Sequence, residues 1–68
     1  MLQLFTKEMA IDQMARALLR QYGAEAEVIA AGHADTMLDM GDLAAFQTWK
    51  AVMAAVRGFQ DVKTRRHM

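Results

Sequence analysis

The chain has 68 residues and a mass of 7.6 kDa, with 54% apolar and 24% charged residues, no Pro, no Cys and four Gly. Eight Lys and Arg balance eight Asp and Glu, so no net charge directs it to nucleic acid or an anionic membrane. Disulfides, Cys-ligated metal and thiol chemistry are excluded, as are collagen-like and Pro/Gly-rich disordered classes. A chain of this size folds to about 4,300 Å² of surface from roughly 11,000 Å² unfolded, so about 60% is buried, which is marginal for one domain standing alone.

The N-terminal MLQLFTKEMAID lacks the basic start, continuous apolar run and small-residue cleavage site of a signal peptide. No stretch reaches the roughly 18 apolar residues of a membrane span, so the expectation is a cytoplasmic protein with no membrane partner. Leu2, Leu4 and Phe5 precede Thr6, a candidate N-cap, and one of them is placed to pack back onto the first turn as a hydrophobic staple. The first helix is expected from Lys7 to Tyr22. Ile11, Met14, Ala15, Leu18, Leu19 and Tyr22 fall on one side, with Asp12, Gln13, Arg16 and Arg20 opposite.

Gly23 sits where a helix C-terminus favours positive φ, and the second helix is expected from Glu25 to Met40. Its apolar arc is wide. Ala26, Ile29, Ala30, His33, Met37 and Met40 form one stripe, and Val28, Ala31, Ala34 and Leu38 a second. That width suggests a middle helix touched by two neighbours, with His33 largely buried. Gly41 repeats the C-terminal signal and Asp42 is the expected N-cap of a third helix, Leu43 to Gln60. Ala45, Phe46, Trp49, Val52, Met53, Val56 and Phe59 share its apolar face. Gly58 weakens its end, and residues 61–68 read as a frayed basic tail carrying Lys63, Arg65 and Arg66. The fold expected is all-α: a single domain over residues 1–68, a small three-helix bundle with short Gly-containing connections, no linker and no internal repeat.

The run from Gly23 to Gln60 resembles a family of short, uncharacterised all-helical bacterial proteins. The likeness rests on Gly23 and Ala26, on Met37 and Leu38 before Gly41 and Asp42, and on Trp49 and Lys50. It covers a little over half the chain. It implies a helical fold and no activity, cofactor or catalytic residue.

Charge is polarised along the chain. Residues 24–42 carry Glu25, Glu27, Asp35, Asp39 and Asp42 and no cation, while residues 43–68 carry Lys50, Arg57, Lys63, Arg65 and Arg66 against Asp61 alone. Such faces can pair head to tail between copies, at modest energy for exposed charges.

Catalytic motifs are missing. No phosphate-binding Gly loop, nucleophile elbow or His-Glu-x-x-His stretch occurs, and there is no Ser. Thr36 follows His33 by three residues but lacks an orienting group and an oxyanion site. His33 with Met37 and Met40, and Met14 and Met53 beyond, has the soft donors that suit Cu(I), yet a packed histidine among flexible methionines accounts for the same residues. Asp35, Asp39 and Asp42 lack the oxygen-rich loop of a tight Ca²⁺ or Mg²⁺ site, and a solvated helix face plus an N-cap explains them. No catalytic residue, cofactor, metal or small-molecule substrate is expected. The function expected is a small non-enzymatic interaction module, a homodimer or an adaptor or inhibitor of a larger protein. Its apolar contact is expected at Phe46, Trp49 and Met53, or at Leu2, Leu4 and Phe5. The alternative is a small nucleic-acid-associated regulator using the basic C-terminal end, although specific recognition needs a more coherent basic surface than this one.

Overall fold

The computed structural model describes residues 7–65, with side chains described for residues 9–62. Three α-helices follow in order: α1 (Lys7–Tyr22), α2 (Ala26–Asp39) and α3 (Leu43–Arg65). Of the described residues, only Met40, Gly41 and Asp42 are not helical. Thr6, Leu2, Leu4 and Phe5, and with them the expected cap and staple, lie outside the described residues.

The two glycines act differently. Gly41 at φ +79° ends α2 in a Schellman motif, its N–H donating to the Leu38 carbonyl at 3.0 Å and the Asp42 N–H to the Met37 carbonyl at 2.9 Å. Asp42 then starts α3, its Oδ1 accepting the Ala45 N–H at 3.1 Å, which is the expected N-cap. Gly23 at φ +57° gives no loop. It opens a single 3₁₀ turn, Gly23–Glu25, that joins α1 directly to α2. The chain is therefore one long helical run bent at Gly23, a break at residues 40–42, and a second run. The expected separation into three helices by two short loops is corrected to that extent. The second helix begins at Ala26, one residue later than expected, and no side chain caps it. The third continues past Gly58 and Gln60 to Arg65, so the stretch expected to fray from residue 61 is helical for five more residues.

The middle position belongs to α3, not α2. α3 packs most extensively on α2 and next on α1, while α1 and α2 touch least. The wide arc of α2 is thus only partly used, and each of its two stripes is split: Met40 of the first and Val28 and Leu38 of the second stay in solvent, while Ala34 of the second is buried. Ala26, Ala30 and Ala34 are buried, but Val28 and Met40 are each 69% exposed and Leu38 is nearly half exposed. Tyr22, expected on the inner side of α1, is also exposed, because α1 ends where the chain bends away.

Among the described residues the buried side chains are Ala15, Ala26, Ala30, Ala34, Val52 and Val56, and the largest that are fully enclosed are the two valines. Ile11, Met14, Leu18, Leu19, Trp49, Met53 and Phe59 pack around them only in part. Alanines let the backbones approach closely, but they bring little apolar area with them.

Candidate interaction surface

Three side-chain contacts tie α3 to its neighbours. Arg57 on α3 donates from Nε to Glu27 Oε2 on α2 at 2.9 Å, and its Nη2 donates to the same oxygen. Glu27 holds the Arg57 guanidinium further toward its charged form than in water, through the hydrogen bond first and its negative charge second. On the other flank the Arg16 guanidinium of α1 lies 5.3 Å from the centre of the Phe59 ring. Between α2 and α3 the His33 imidazole stacks on the Trp49 indole, with centroids 4.3 Å apart and planes 21° from parallel.

His33 is exposed, so its expected burial is corrected. Its outer ring face meets solvent while the inner face covers Trp49. The physical reason is the alanine spacing of α2. Ala26, Ala30 and Ala34 take the line of closest approach to α3, and a ring one step off that line has room only to lie over the neighbouring aromatic. Met37 is half-buried and Met40 exposed. Among the described residues no three His, Cys, Asp or Glu side chains converge as a metal site would require, and Asp35, Asp39 and Asp42 are all exposed.

A groove of about 240 Å³ runs between α2 and α3. Ala31 and Ala34 leave the room for it, Leu38, Phe46 and Met53 provide its apolar lining, and Asp35 and Lys50 stand on its two edges. Phe46 and Met53, expected at an interface, therefore come together here, joined by Leu38 from the other helix. Trp49 is half-buried and engaged with His33, so it is the least available of the three. Leu2, Leu4 and Phe5 fall outside the described residues. The Lys50 Nζ lies 5.6 Å from the centre of the Phe46 ring, and among the described residues neither Lys50 nor Asp35 has an ion pair. A second shallow cleft of about 290 Å³ lies between α1 and α3, lined by Ile11, Ala44, Gln47, Thr48 and Ala51.

Asp35, Leu38 and Lys50 were not legible as one surface in the sequence, because that requires the register of α2 against α3. Opposite charges on helices joined by a tight turn are a signal for such pairing, but they leave the register open. The side chains of Lys63, Arg65 and Arg66 lie outside the described residues, and no described helix is long and apolar enough to cross a membrane. No known protein family, curated protein or solved structure matches this chain.

Proposed function

We propose that this protein is a small non-enzymatic interaction module, working as a homodimer or as an adaptor of a larger protein. The observation that carries the reading is the core of alanines and two valines, with every larger apolar side chain among the described residues partly or largely in solvent. A chain of this length gains only a few kcal/mol from its own core, and here no disulfide adds to it. An apolar partner surface supplies the missing burial, and the small three-helix unit is complete only when that surface is in place. A Cys-free chain suits a reducing, cytoplasmic setting.

The test is the melting temperature as a function of protein concentration. Association stabilises the folded state by mass action, so the homodimer predicts a midpoint that rises with concentration. A midpoint independent of concentration removes the homodimer, and the adaptor then predicts a low midpoint for the isolated chain. A high, concentration-independent midpoint contradicts both.

A further inference from the structure

The surface between α2 and α3 has a charge pattern that specifies what covers it. In an antiparallel pair, residues at one level have nearly constant summed numbers, and the Glu27–Arg57 bond sets that level. Eight residues along α2 from Glu27 is Asp35, and seven residues back along α3 from Arg57 is Lys50, so these two stand level, at about 12 and 10.5 Å of rise. The facing pair Leu38 and Phe46 lies in the same register, and all four line one groove. One edge of this face is thus acidic, with Glu27 and Asp35, and the other basic, with Lys50 and Arg57. Glu27 and Arg57 neutralise each other within the chain, and Asp35 and Lys50 do not.

We infer that the α2–α3 groove is the seat of a second copy of this chain, related by a two-fold axis running along the groove. The inference rests on the interaction-module reading above and names its partner. Rotation about that axis keeps every level and exchanges the edges. Asp35 then meets Lys50 of the other copy, Lys50 meets its Asp35, and Leu38, Phe46 and Met53 of the two copies close on one another. The other face-to-face two-fold, across the groove, sets acidic edge on acidic edge and is opposed by like charge.

The experiment is sedimentation velocity on the full chain and on Asp35→Lys, Lys50→Asp and the double exchange, with circular dichroism confirming helix in each. Both positions are exposed, so the fold tolerates the changes. Each single reversal places like charges together twice per dimer and weakens self-association about tenfold. The double exchange restores it. The two single variants, mixed, associate with each other in preference to themselves, since one offers two cations and the other two anions at that level. An effect within one chain cannot produce that cross-association. A wild-type dimer insensitive to both reversals overturns the groove as the seat and leaves the interaction module standing. A wild-type chain that stays monomeric overturns the self-pairing together with the homodimer.

Discussion

The His33 imidazole lies over the Trp49 indole, 4.3 Å between centroids and 21° from parallel, and ties the middle of α2 to the N-terminal third of α3. Where the enclosed side chains among the described residues are alanine and valine, this stack is a substantial part of what holds the two helices in register. Stacked aromatic pairs contribute roughly 0.5–1.5 kcal/mol beyond the area they cover. His33→Ala is expected to destabilise by about 1 kcal/mol, a fall of roughly 4–8 °C in the melting midpoint for a chain of this size. Trp49 emission shifts to the red as its face is uncovered. His33→Phe retains the stack and most of the stability. An unchanged midpoint and spectrum in His33→Ala show the stack to be incidental.

The glycines divide into two kinds with opposite predictions. Gly41 at φ +79° occupies a conformation that costs a side-chain-bearing residue roughly 1–2 kcal/mol, so Gly41→Ala destabilises by about that amount. Gly32 and Gly58 have ordinary helical φ and nothing within 4 Å of where a Cβ would stand. Gly32→Ala and Gly58→Ala each stabilise by about 0.5–1 kcal/mol, through helix propensity alone. Thermal melts at one fixed concentration check all three. A destabilising Gly58→Ala places a close neighbour over that position.

Much of this was readable in advance, for reasons particular residues make plain. Gly41 and Asp42 carry a stop and a start in adjacent positions, and the structure uses both. The a-face of α3, with Phe46, Trp49, Met53 and Phe59, follows from spacing at 100° per residue. Gly23 gives no loop because positive φ permits a tight bend as well, and a 3₁₀ turn follows it directly. His33 misled because hydropathy along one helix assumes a neighbour across the whole arc. α2 has a close neighbour only along the line of Ala26, Ala30 and Ala34. The Glu27–Arg57 and Arg16–Phe59 contacts join residues thirty or more apart, where no local pattern points from one to the other.

The small core makes opposite errors costly. Val52 and Val56 are fully enclosed. Val52→Ala or Val56→Ala removes two methyl groups and leaves a void, a loss of about 2 kcal/mol. Ala30→Leu forces the closest approach of α2 and α3 apart and costs about 1–3 kcal/mol. On a chain of this length any of the three is expected to lower the midpoint sharply, measured by circular dichroism at 222 nm. Tolerance of Ala30→Leu without loss contradicts the close helix contact.

The Glu27–Arg57 ion pair is exposed on the Arg57 side, so its effect is small and depends on salt. Glu27→Ala lowers the midpoint slightly at low ionic strength, and the difference from wild type shrinks as salt is added. The pH sign follows from the raised Arg57 value. A cation stabilised in the folded state contributes fully below its unfolded pKa and loses that contribution only as pH climbs through the guanidinium range. Arg57 therefore adds no slope to stability across neutral pH. A midpoint difference between wild type and Glu27→Ala that persists in high salt refutes the screened-pair account.

In the proposed dimer a second copy completes the thin core from outside the chain. Sedimentation equilibrium over a wide range of protein concentration addresses it most directly. A two-fold dimer gives a weight-average mass that climbs from 7.6 kDa toward twice that value and stops there, because a two-fold contact closes on itself. A mass of 7.6 kDa held to the highest concentration, or growth past the dimer without a plateau, contradicts it.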